Sequence, residues 1–397
     1  MRLATNPWFI VAAAVLILAS NVGVRQTTGL LLPDISLSLN VPVSDLAFGF
    51  GVQNLLWGAV APFAGLASER FGTVRVLQMG GVVYLLGMLL ASFAESGSIF
   101  FLANAILIGI GVGATTFPIV LAAVSRHFPA SKRTFALGVA SAGGSLGQFL
   151  YSILLGWLDT FSHWSEIFFW FAITLSSILV LAPFLGGRTR IEVSPTKFDF
   201  QSILKALYCR EYILLNLGFF VCGFHISLLT VHMAGVVNYC GLPPEMAANS
   251  LAVIGLANVV GVILAGWAGD RWHKPWLLTL IYWLRACLIM CLLVIPPDTQ
   301  WFYLFSVVMG VLWLSTVPLT SGTVAQIFGT KNLASLFGIV MFSHQIGAFF
   351  GSWWSGLIFD QSGSYEWALI LSAALGIFAA AVHLPITPKR ISRYQAG

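Results

Sequence analysis

Residues 65–70 read GLASER, and residues 266–271 read GWAGDR. Both hexamers open on glycine, close on an acid followed by arginine, and follow a long apolar run, at a spacing of 201 residues. Pro42 and Pro243 share that offset. Further along the offset is 200, which pairs Pro118 with Pro318, Phe128 with Phe328, and Gly138, Gly147 and Gly156 with Gly338, Gly347 and Gly356. Matches at so constant a spacing mark an internal duplication, and composition says what is duplicated. Only 8% of the chain is charged and 58% is hydrophobic, against about 25% charged residues in a soluble domain, and the mean hydropathy is +0.91. The chain reads as an all-α integral membrane protein.

Spans of about 20 apolar residues fall near 8–32, 45–67, 74–94, 98–124, 134–158 and 165–185, and again near 211–238, 246–268, 275–295, 301–327, 333–358 and 366–385. These are twelve helices in two pseudo-symmetric bundles of six, with residues 1–187 as the first bundle, 188–210 as a basic linker and 211–397 as the second. The first span exceeds 20 residues without a small-residue cleavage site and is expected to be a retained helix rather than a signal peptide. Within the linker, 201–208 sets Ile203, Leu204 and Leu207 beside Lys205, the pattern of a short helix on the membrane surface.

The charges are sorted by loop. With a cytoplasmic N-terminus, 17 of the 19 basic residues fall in inside loops and tails, while nine acids, Asp34, Asp45, Glu95, Asp159, Glu166, Glu245, Asp298, Asp360 and Glu366, fall outside. The positive-inside rule then places both termini in the cytoplasm, with a bacterial inner membrane as the expected location. The net charge of +5 reports this topology and argues for no nucleic-acid partner. Five cysteines show no paired CxxC spacing and read as packing groups.

Parallel six-helix halves joined by an inside linker suit a transporter that rocks two bundles about a midplane site. Over its whole length the sequence resembles the major facilitator superfamily. The loop Gly65 to Arg75 is similar to the superfamily's signature, with Thr73 and Val74 where a basic pair is expected and Arg75 one place later; His273 replaces the second copy's glycine. The resemblance implies a gating latch of Glu69, Arg70, Arg75, Asp270 and Arg271. GVRQTTGLLLPDI (23–35), GFFVCGFHISLLTVHM (218–233) and YWLRACLI (282–289) resemble bacterial members of the monocarboxylate-transporter and oxalate/formate-exchanger branch. That implies small organic anions as substrates, with helices one and seven lining the cavity and helices three, six, nine and twelve peripheral.

Arg25 and Arg285 are the only charged residues assigned to the membrane interior, where no carboxylate balances them. Arg25 lies about 25 Å along its helix at 1.5 Å per residue, and Asn21, Thr28 and Gly29 share its face at helical spacing. It is the candidate anion receptor, with snorkelling as the plainer alternative. His225 and His232 lie two turns apart on helix seven and are candidates for substrate binding or proton coupling, or for buried structural hydrogen bonds. Arg285 reads first as structural, bonded to carbonyls, and second as a substrate contact. Trp313 and Thr316, with Thr320, on helix ten, and His344 and Gln345 on helix eleven, complete a polar pocket with Gln53, Asn54, Trp57, Gln148 and Tyr151.

No P-loop, metal cluster, paired carboxylates or nucleophile–base pattern is present in the sequence, so no cofactor, metal or enzyme chemistry is expected, and energy must come from a gradient. The expected function is secondary transport of a mono- or dicarboxylate by rocker-switch alternating access, as proton symport or as exchange, by a monomer in the bilayer. Efflux of an anionic metabolite or drug is the alternative, and a non-transporting membrane sensor is the alternative of a different class.

Overall fold

The computed structural model describes residues 7–125, 127, 130–186, 206–295, 298–328 and 333–387. They form twelve helical rods. The first six are α1 (Pro7–Leu39), α2 (Val43–Phe71), α3 (Thr73–Ser92), α4 (Gly97–Val124), α5 (Ala130–Leu158) and α6 (Trp164–Leu185). The second six are α7 (Arg210–Tyr239), α8 (Glu245–Arg271), α9 (Lys274–Val294), α10 (Thr299–Phe328), α11 (Leu333–Ser362) and α12 (Glu366–His383). Ten of these are long and apolar enough to cross a membrane, and α5 and α11, at 29 and 30 residues, span the same distance. Helix is the form expected of such runs, because in hydrocarbon each backbone group must find its partner within its own segment. Most of the expected linker, 188–205, and with it most of the expected surface helix, lies outside the described residues.

The duplication is visible as repeated packing. Helix α1 packs on α5 as α7 packs on α11; α2 lies on α4 as α8 lies on α10; α3 lies on α6 as α9 lies on α12. The two halves meet through α2 on α11 and α8 on α5. The glycine pairs repeat atom for atom: Gly147 lies against the backbone of Ala19 and Gly347 against that of Phe220, so that no side chain fits at either. Close helix approach is what small residues at such seams permit.

Those runs also show which end of the molecule is open. Call the end carrying Asp34, Asp45, Glu245 and Asp360 the acidic end, and the end carrying Arg70, Arg75, Arg271 and Lys274 the basic end. At the acidic end the halves touch: a Cβ on Gly156 would lie 3.0 Å from Ala248 Cβ, and one on Gly356 2.7 Å from Ala47 Cβ. Ser352 Oγ donates to the Ala47 carbonyl at 2.7 Å, and the Ser44 N–H donates to Asp360 Oδ2 at 2.8 Å. At the basic end Gly65, Gly138, Gly266 and Gly338 have nothing among the described residues within 4 Å of an added Cβ. Among the described residues the two bundles are closed at the acidic end and splayed at the basic end.

Three rods are interrupted. Helix α1 passes through a 3₁₀ turn, Thr28–Leu31, and runs on to Leu39, beyond the expected end at 32. It stops at Asn40 in the left-handed region (φ 50°), a conformation asparagine tolerates. Helix α4 contains a π-helical stretch, Leu102–Ile108, and bends at Thr116, two residues before Pro118. Helix α10 breaks between Leu312 and Thr316, just before Pro318. The duplicated prolines therefore mark duplicated breaks, as expected where proline removes a donor and its ring collides with the preceding turn.

Candidate functional site

Arg25 sits in the last turn of Pro7–Thr27, immediately before the 3₁₀ turn. It is 4% exposed. Its Nη2 donates to Asn54 Oδ1 on α2 at 2.6 Å, its guanidinium lies 5.9 Å from the Phe50 ring centroid, and its Nε has no partner. Among the described residues that is the guanidinium's one hydrogen bond, out of five N–H donors, and it goes to a neutral amide. The Asn54 amide then donates through Nδ2 to Ser227 Oγ on α7 at 3.2 Å. The chain Arg25–Asn54–Ser227 therefore crosses from one half to the other. Just above it, Gly29 lies against the backbone of Thr230 and Val231, which seats the 3₁₀ turn on α7.

The expected polar face on α1 is divided among three neighbours. Asn21 donates to Thr115 Oγ1 at 2.5 Å and to the Val112 carbonyl at 3.4 Å, which ties α1 to α4. Thr28 donates to its own helix at the Arg25 carbonyl, 3.2 Å away. Arg25 turns toward α2, and Gly29 meets α7 across the seam between halves, the 3₁₀ turn having disrupted the helical spacing that put Thr28 and Gly29 on one face with Arg25.

Arg285 stands in contrast. It is fully buried, and its Nη2 donates to the carbonyls of Leu312 and Trp313 at the α10 break, while Nη1 reaches Cys222 Sγ at 3.5 Å. A cation at a helix C-terminus compensates the free carbonyls and the negative end of the dipole. Thr316 Oγ1 lies 3.3 Å from the same cysteine sulfur, and the Tyr282 ring centroid is 5.5 Å from the guanidinium. Trp313 is buried with its indole Nε1 unpartnered, and so is the Thr320 hydroxyl.

The two α7 histidines do not join Arg25. His225 Nε2 lies 2.8 Å from the Ser372 carbonyl of α12, whereas Ser227, two residues on, faces α2. His232 uses both nitrogens, Nε2 with the Ser352 carbonyl at 2.8 Å and Nδ1 with the Tyr365 hydroxyl at 3.0 Å. Both rings occupy seams within the second half. The His344 ring lies tilted against Phe219, with centroids 5.1 Å apart and Nδ1 unpartnered. Gln345 borders the cross-half seam, where a Cβ on Gly58, one turn beyond Asn54, would lie 2.8 Å from its Cγ. Gln148 joins the halves at another point, donating to the Leu251 carbonyl at 3.2 Å.

At the basic end Arg70 and Arg271 are exposed and lie over aromatic rings, Arg70 at 5.4 Å from Phe71 and Arg271 at 4.3 Å from Trp267. Asp270 and Arg75 are exposed as well, and the side chain of Glu69 is outside the described residues.

Sequence reasoning missed Ser227 and Asn258. Asn258, buried in α8, accepts from the Leu314 N–H at 3.0 Å within the α10 break and donates to Ser145 Oγ of α5 at 3.0 Å. A lone asparagine in an apolar span was the available signal. Ser227 offered none, since serine in a membrane helix usually bonds its own backbone.

A family model described as Major Facilitator Superfamily matches residues 12–313 and 215–396. Monocarboxylate transporter 13 of Bos taurus is 25% identical over 376 residues, covering 92% of this chain and 86% of that protein. The MFS-type transporter YhjX of Escherichia coli is 25% identical over 321 residues, 79% of each chain. Among solved structures, a D-xylose–proton symporter superposes with a TM-score of 0.78 at 15% identity, covering 97% of this chain and 99% of that one. A bacterial homologue of the lysosomal transporter Spinster, in an inward-facing, unoccupied conformation, gives 0.74 at 14% identity, covering 96% and 97%.

Proposed function

The chain belongs to the Major Facilitator Superfamily of multi-pass membrane transporters, and from that premise we propose that it carries a small organic anion, a mono- or dicarboxylate, with Arg25 as the receiving group. The observation that carries this reading is the unbalanced state of Arg25: a permanent cation, 4% exposed, holding one neutral hydrogen bond and an unpartnered Nε. A charge left in that condition is costly in a membrane interior, and a carboxylate supplies both the missing charge and the missing acceptors in the fork geometry guanidinium prefers. Arg285 also has an unpartnered Nε, but its other two nitrogens hold three bonds, to the Leu312 and Trp313 carbonyls and to Cys222 Sγ. Relatives named monocarboxylate transporters support the substrate class.

The loop charges support an acidic end outside and a basic end in the cytoplasm, as for a bacterial inner-membrane protein. On that orientation the conformation is inward-open, with Asn54, Ser227 and the α2–α11 contacts closing the outer side. Transport is then a rocking exchange of the closed end for the open one, driven by a solute or proton gradient.

Counterflow in proteoliposomes loaded with acetate, pyruvate, lactate, oxalate or succinate tests the proposal. At least one carboxylate should accelerate uptake of its own label, while sugars and organic cations do not. Binding without counterflow is the result expected of a sensor and would overturn the reading.

A further inference from the structure

We infer that Asn54, held by Ser227 of the opposite half, is the positioning residue that keeps Arg25 aimed and its charge free for a carboxylate, and that it does so in a state-dependent way. The inference rests on the anion reading of Arg25. Its first support is chemical. Guanidinium has no acceptor, so the Asn54 carbonyl oxygen must face Arg25 and the amide nitrogen must face outward, which it does, toward Ser227 Oγ. Both ends of the amide are thus used, and the side chain cannot turn without losing one bond. An aspartate here would aim Arg25 equally well but would cancel its charge. The neutral amide orients the cation and leaves its charge for a ligand.

The second support is topological. Asn54 belongs to α2 of the first half and Ser227 to α7 of the second. The seam between them lies in the closed part of the molecule, beside the Gly29 contact with Thr230. When the halves separate at the acidic end, the Asn54–Ser227 bond must break, while the Arg25–Asn54 bond, internal to the first half, can persist. Asn54 therefore has one anchor when that end is open and two when it is shut, and the anion site and the closure share a single side chain.

Three variants separate the roles, each assayed as monodisperse full-length protein for binding of the five carboxylates above and for labelling of a reporter Gly338→Cys at the splayed basic end. Asn54→Asp should weaken carboxylate binding by about 30-fold or more, as loss of a buried charge partner does. Ser227→Ala, which removes one of the two anchors of Asn54, should weaken that affinity by about fivefold or less and slow reporter labelling by up to about fivefold in the absence of substrate, the effect of one lost hydrogen bond. Where the Asp variant does not purify, Asn54→Ala should raise KM about tenfold with kcat unchanged. Wild-type affinity in Asn54→Asp, wild-type KM in Asn54→Ala, or wild-type labelling in Ser227→Ala overturns the inference. If Arg25→Ala also binds normally, the anion reading itself falls; if Arg25→Ala loses binding while Asn54→Asp does not, only the role of Asn54 falls.

Discussion

Two buried arginines with one chemistry have opposite surroundings, and the difference predicts opposite mutant behaviour. Arg25 makes a single bond to an amide, so its removal should spare the fold and cost the ligand. Loss of a buried charge partner amounts to about 2–5 kcal/mol. Arg25→Ala should therefore weaken carboxylate binding by at least about 30-fold, and Arg25→Lys, which keeps the charge and loses the planar fork, should fall between; isothermal titration on monodisperse protein reads both. Arg285 satisfies two carbonyls at a helix break. Deleting it leaves them unpaired at about 1–3 kcal/mol each, so Arg285→Ala should lower the melting temperature in detergent clearly while the surviving protein binds substrate within about twofold of wild type. A substrate role for Arg285 would reverse that pattern.

At the scale of elements, the breaks in α4 and α10 and the caps at the closed end are the parts that must change during a rocking cycle. Helix α2 begins after Pro42, which offers no side-chain cap, and the Ser44 N–H is satisfied instead by Asp360 from α11 of the other half. A carboxylate at a helix N-terminus also meets the positive end of its dipole. Caps of this kind contribute about 1 kcal/mol, so Asp360→Ala should shift the resting equilibrium about fivefold toward opening of the acidic end. Slower labelling of Gly338→Cys, with faster labelling of a cysteine placed at Ser44, would report that shift; unchanged rates at both positions would show that the cap does not bear on closure.

For the whole molecule, the splayed basic end leaves Arg70 and Arg271 stacked on aromatic rings and Asp270 in the open. If these groups pair when that end closes, removing one charge penalises only the closed form. Asp270→Asn should then raise the labelling rate of Gly338→Cys a few-fold, and Glu69→Gln should act in the same direction. Equal rates in both variants would leave these charges as solvated loop ends.

Much of this architecture is legible without coordinates. Twelve apolar runs, the 200-residue repeat and the loop charges determine the number of helices, their pairing into halves and the sorting of acidic from basic ends, because each depends on local composition or on counting along the chain. The duplicated prolines were read only as part of the repeat, within spans expected to be continuous, and the breaks beside them came from the structure; the unbalanced Arg25 was the sequence's candidate for the site. What required the tertiary structure was rotation about each helix axis. A helix packed in lipid is apolar on its lipid face and apolar on its packed face, so no stripe in α7 distinguishes the side bearing His225 and His232 from the side bearing Ser227. Only packing decided that the histidines bond within their own half, that Asn54 and not Thr28 meets Arg25, and that Arg285 holds two α10 carbonyls while Arg25 is left with a single neutral bond.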